Sequence, residues 1–215
     1  MTEPKLTKGN DAAPKEVSLD LERRTFLNLL RMTNTQTTPK EIAWQLVVLA
    51  REISGCEAVA IRLKDGPDFP YAASLGFSNR FLDLENNLCA TDEAGHLLRD
   101  ALHRPVLACV CGLVLSGQAT PSHHPCFRGY GSFLTGSTSS FMDSQSEAPK
   151  LGDLRGRCHT AGYETVALFP IRRERVTYGL IHCNDTRPDR ITSDAADLME
   201  ALADTAAHLF QEFMA

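Results

Sequence analysis

A chain of 215 residues, 43 % hydrophobic and 23 % charged, is long enough for one domain with a substantial core, and its formal net charge of −5 opposes electrostatic binding of nucleic acid. No apolar run reaches the ~18 residues of a membrane span, and the opening MTEPKLTKGNDAAPKE lacks the apolar stretch of a signal peptide. We therefore expect a cytoplasmic protein with no nucleic-acid and no membrane partner; its seven cysteines, an odd number, argue against a closed disulfide framework.

Residues 1–17 are polar and read as a disordered tail. Leu19 to Met32 makes a charged helix with an uneven apolar face and Ser18 as N-cap, and we assign 18–35 to an N-terminal signalling and dimerisation helix. Thr38, Pro39 and Glu41 start a second helix that runs to Ile53 and ends at Gly55. AVAIRL (58–63) and PYAASL (70–75) read as strands joined by the polar turn KDGPD. Residues 76–104 read as one long irregular loop carrying Cys89, of the length that usually serves function.

Pro105 to Gln118 is expected to be a short apolar helix, 119–130 a loop, and GSFLTGST (131–138) a strand with its turn. A helix over 154–162 carries Cys158. TVALFPI (165–171) and VTYGLIHCN (176–184) form a hairpin over RRER, and a last helix capped by Ser193 runs to Phe213. No internal repeat is evident. This order predicts an α+β domain with a mostly antiparallel sheet, terminal helices on one face, and a ligand-cavity layer of loops and short helices on the other.

The stretch GYETVALFPIRRERVTYGLIHCNDTRPDRITSDAADLMEALADTAAHLF (162–210) resembles the closing portion of a GAF domain, and EIAWQLVVLAREISGCEAVAIRLKDG (41–66) resembles its opening helix and first strand. We assign 36–215 to that domain. Four further motifs in order, LENNLCA (84–90), CVCG (109–112), GSFLTGST and RCHTAGYETVAL (157–168), are similar to a cysteine-rich subgroup found in sensor histidine kinases of anaerobic bacteria and archaea. This sequence departs from that pattern at Leu134, Gly136 and His159. The resemblance implies a sensory module in signal transduction that acts as a homodimer, with a histidine kinase or other output partner, and not an enzyme.

Cys89, Cys109, Cys111 and Cys158 fall on the subgroup's pattern. Four thiolates have the number and chemistry for zinc or an iron–sulfur cluster, and the resemblance adds heme, with His123, His124 or His159 as axial nitrogen. Residues i and i+2 of a regular helix point about 200° apart, so Cys109 and Cys111 can share one site only if Cys109 precedes the first full turn. The same thiols also fit a redox switch or plain core packing, the role expected of Cys56 and Cys183, with Cys126 outside the set. Ser132 and Thr135, with Ser137 and Thr138, are candidate cavity hydroxyls, and Arg62 and Arg157 are either anion contacts or surface charges. A Cys-His pair at 158–159 also suggests bilin attachment, but it lies too near the following strand. No phosphate loop, HExxH or GxSxG is present, and the thiol surroundings differ from those of GAF proteins that reduce free methionine sulfoxide. The alternative is a domain that binds a small organic ligand and carries inert cysteines.

Overall fold

The computed structural model describes residues 13–33, 38–147, 151–152 and 154–213. The elements are α1 (Leu19–Thr33), α2 (Pro39–Ser54), β1 (Ala58–Leu63), β2 (Tyr71–Leu75), α3 (Asn79–Glu85), α4 (Cys109–Leu115), β3 (Phe133–Thr135), α5 (Thr138–Glu147), α6 (Arg157–Thr160), β4 (Thr165–Arg173), β5 (Val176–Asp185) and α7 (Ser193–Gln211). One sheet of five strands, in the order β2-β1-β5-β4-β3, pairs antiparallel throughout. This is the mixed α+β, open antiparallel architecture that the sequence predicts.

The central strands are buried on both faces, so their side chains are apolar on both and alternate only in destination. Val59, Ile61, Ala167, Phe169, Ile181 and Cys183 face α1, α2 and α7 in the larger core. Ala58, Ala60, Val166, Leu168 and Leu180 face the opposite layer. Helix α2 has the start that its sequence announces: Thr38 Oγ1 accepts from Glu41 N at 3.3 Å, the Glu41 carboxylate accepts from Thr38 N at 2.8 Å, and Gly55 closes the helix in the left-handed conformation. Thr192, one residue before the expected Ser193, caps α7. Of the expected tail, residues 1–12 lie outside the described part; 13–17 carry no regular structure, and Lys15 Nζ donates to Glu52 O. Among the described residues no helix is long and apolar enough to cross a membrane.

The middle layer departs most from expectation. Residues 76–104 are not a structureless loop: Ser78 caps the short helix α3, whose Phe81 and Glu85 are buried. Beyond it lies a repeat hidden in the sequence. Asp92 and Asp100 build the same turn twice, each side chain accepting from two backbone N–H groups, of Ala94 and His96 in the first and of Leu102 and Arg104 in the second. Gly95 and His103 take the left-handed position of their turns. The backbones of Ala90, Leu98 and Val106 close a triangle of hydrogen bonds, Ala90 N to Val106 O, Leu98 N to Ala90 O and Val106 N to Leu98 O. Because 105–107 are drawn into this ladder, the helix expected from Pro105 begins only at Cys109. The strand expected over 131–138 keeps only Phe133–Thr135, since Thr138 opens the unpredicted helix α5. The helix expected over 154–162 shrinks to the single turn α6, which begins after left-handed Gly156.

Candidate functional site

Between the sheet and this layer lies a cavity of about 50 Å³. Its thiol wall is Cys109 and Cys111 from α4 and Cys158 from α6; Thr135, Thr138, Phe133, Phe141, Val166 and Leu168 complete much of the rest, with His159 at one side. The geometric condition for a shared CxC site is met in an unusual way. Cys109 has φ of 65°, a left-handed backbone that costs a non-glycine residue on the order of 1–3 kcal/mol, and so its side chain joins that of Cys111 along one wall. The glycine that follows has a separate cause: a Cβ on Gly112 would stand 2.2 Å from Leu107 O, because α4 packs directly against that backbone. His159 Nδ1 lies 3.1 Å from Thr138 Oγ1.

Beside the cavity runs a buried polar row. Arg62 is wholly buried, and its guanidinium donates to Phe69 O at 2.8 Å, Asn86 O at 3.0 Å and Glu85 O at 2.5 Å. The Tyr71 ring covers its face, 3.6 Å from the guanidinium carbon to the ring centroid. Tyr71 Oη lies 3.3 Å from His182 Nδ1, and His182 Nε2 lies 3.8 Å from Cys158 Sγ. Asn184 follows on the same side of β5, wholly buried and with neither amide atom hydrogen-bonded. Burial pushes the Cys158 thiol up to about 12 and the Cys111 thiol well above the ordinary value, so both are neutral near pH 7.

Burial, reinforced by the charge of Arg62, holds the His182 imidazole down to about 3. The native state therefore keeps this ring neutral, whereas the unfolded chain protonates it below about 6.5. The unfolded state then binds one more proton, and stability falls as pH drops from about 6.5 towards 3, by up to about 1.4 kcal/mol per pH unit from this residue alone. Urea unfolding between pH 4.5 and 7.5 checks this: His182→Leu should lose about one proton's worth of slope on the acid side. An unchanged slope contradicts the assignment.

The structure gathers only part of the predicted set. Cys109, Cys111, Cys158, His159 and Thr135 line the cavity. Cys89 does not: its thiol donates to Pro67 O at 3.3 Å, and its backbone is held by the Asp68 carboxylate. Among the described residues no group of three or more His, Cys, Asp and Glu side chains has the geometry to hold a metal ion. The four-thiolate set Cys89, Cys109, Cys111 and Cys158 is thus not assembled for zinc or an iron–sulfur cluster. Nor does heme fit, since a cavity of about 50 Å³ falls far below the ~300–1,000 Å³ of sites for larger organic ligands. Ser132, expected among the cavity hydroxyls, points the other way and donates to Glu200 on α7 beside Arg128. His123 and His124 bond to Thr120 and Ser144 outside the cavity. Cys56 and Cys183 pack in the helix-side core.

Sequence reasoning missed Tyr71, Glu85, His182 and Asn184, and left Arg62 undecided. One signal was available: Arg62, His182 and Asn184 interrupt otherwise apolar strands, and polar groups on doubly covered strands must be answered from within.

A five-stranded antiparallel sheet with three helices on one face and a small cavity under short helices on the other defines a compact cavity-bearing α+β domain. The GAF domain profile matches residues 38–209, most of the chain, and the chain belongs to that family. Among solved structures it is similar to the GAF domain of an Acinetobacter phosphoenolpyruvate-protein phosphotransferase, with a TM-score of 0.57, 15 % identity, and 90 % of this chain and 92 % of that one covered. It is also similar to the free methionine-R-sulfoxide reductase of Neisseria meningitidis in complex with its substrate (TM-score 0.57, 12 % identity, 93 % and 95 % covered) and to the cyanobacteriochrome TePixJ GAF domain (0.50, 13 %, 81 % and 90 %). No curated protein sequence matches the chain. At these identities the likeness is one of fold.

Proposed function

We propose that this chain is the sensory domain of a signal-transduction protein, and that it reads a small, neutral, largely apolar ligand in the thiol-lined cavity. The observation that carries this reading is the convergence of Cys109, Cys111 and Cys158, from two separate segments, on one small cavity. Thiols kept neutral by burial are weak nucleophiles and serve as polarizable apolar lining, which favours a binding module over an enzyme. The likeness of the four motifs, three of them carrying cysteine, to those of sensor kinases supports a kinase-type output partner in the cytoplasm. Exposed Leu19, Phe26 and Leu30 on α1 and Trp44 and Val48 on α2 support pairing of two copies through the helix face.

Xenon is a suitable probe, because it is small enough for a cavity of about 50 Å³ and enters apolar sites. Xenon under pressure should raise the melting temperature of the native chain, and Cys111→Met, which fills part of the cavity, should lose most of that rise. An equal rise in both proteins, or none in either, overturns the reading. Loss of two titratable thiols from the native protein on treatment with diamide would replace it with a thiol switch.

A further inference from the structure

On the outer side of the same roof, α3 and α6 border an open cleft of about 290 Å³ lined by Ser78, Arg80, Phe81, Leu84, Arg157 and Thr160. Its walls carry two guanidinium groups in a chain whose net charge is negative. Arg80 is exposed and makes no hydrogen bond or ion pair with any described residue. Arg157 is held by the Leu84 carbonyl and by the buried Glu85 carboxylate, with Nη1 3.1 Å from Oε1, while its side chain stays 40 % exposed. Phe81 and Leu84 give the cleft an apolar lining, and Ser78 and Thr160 complete it, their hydroxyls engaged with Phe81 N and Gly156 O. Paired guanidinium forks suit a carboxylate, and an apolar lining suits an organic body.

Arg157 also lines the thiol cavity, and Cys158 is the next residue. The segment that carries both is strapped to the chain below α3: Arg155 Nη1 donates to Asn87 O at 2.6 Å and lies 3.7 Å from Glu85 Oε1. A carboxylate in the cleft competes with Glu85 for Arg157, and that ion pair is one of the contacts, beside those to the Leu84 and Asn87 carbonyls, that hold α6 over the cavity. We propose that this cleft binds a small organic carboxylate, and that Arg157 couples its occupancy to access to Cys158. The proposal does not depend on what the thiol cavity itself binds.

Sodium benzoate is the probe, with sodium phosphate and sodium chloride at matched ionic strength as competing arms. Two readouts apply: the side-chain N–H resonances of Arg80 and Arg157, and the rate at which iodoacetamide labels Cys158, followed by peptide mass spectrometry. Benzoate should shift both arginine resonances saturably at millimolar concentration and speed Cys158 labelling about threefold, the scale set by one half-exposed ion pair. Arg80→Ala, an exposed substitution remote from the core, should abolish the saturable shift and the faster labelling. Equal effects from phosphate or chloride overturn the organic-carboxylate assignment. Unchanged binding in Arg80→Ala overturns the site, and binding with unaltered Cys158 labelling overturns the coupling.

Discussion

Arg62→Leu should destabilise the domain by about 3–5 kcal/mol, enough to leave much of it unfolded at room temperature. Two effects oppose each other here. Removing a buried guanidinium relieves its desolvation, and an apolar substitute of similar volume is sometimes neutral. Against that, three carbonyls, of Phe69, Glu85 and Asn86, lose their donor, and the two buried ones, of Phe69 and Glu85, cost about 1–3 kcal/mol each. Tyr71 loses the cation on its face. The carbonyls decide the sign, because those of Phe69 and Glu85 are buried where the chain enters β2 and ends α3. Arg62→Lys should recover little, since one ammonium cannot serve three carbonyls and a ring face together. Urea unfolding at pH 7 measures both variants; a loss below about 1 kcal/mol for Arg62→Leu would show that the three carbonyls find other donors.

The second large effect is expected at Gly112→Ala, about 3 kcal/mol. The added methyl would stand 2.2 Å from Leu107 O and 2.5 Å from Leu107 C, and these are backbone atoms tied into the triangle of turns, so helix α4 must move instead. Moving α4 displaces Cys109 and Cys111, and iodoacetamide should then label Cys111 faster in the native protein. Gly129→Ala is the control: nothing lies within 4 Å of its Cβ, and its stability should change by less than about 0.5 kcal/mol. Equal losses at the two glycines would refute the close-approach argument.

These two residues show how unevenly the site is written in the chain. The CVCG run at 109–112 reads as a ligand motif, yet its glycine answers to the carbonyl of Leu107, and its first cysteine reaches the cavity only through a left-handed backbone. Cys89 shares the motif pattern of the other three but hangs from Asp68 and Pro67, away from them. Spacing along a chain does not report which wall of a cavity a loop residue joins.

What the sequence determined by itself was the frame. Short apolar strand runs bounded by turn residues, the Thr38–Glu41 capping box and the apolar stripes of α2 and α7 at a 3.6-residue period are local signals that survive without knowledge of their neighbours. They yielded the antiparallel sheet and the helices on one face. Tertiary structure alone decided the middle layer. Its helices α3, α4 and α6 span at most seven residues, too short for periodicity to show, and the Asp92 and Asp100 turns repeat their geometry with different residues, Gly95 in one and His103 in the other. Tertiary structure also decided the fate of the polar side chains on β1 and β5. Arg62 and His182 take their meaning from carbonyls, a ring and a thiol supplied by segments up to 111 positions away, and no local pattern carries contacts of that range.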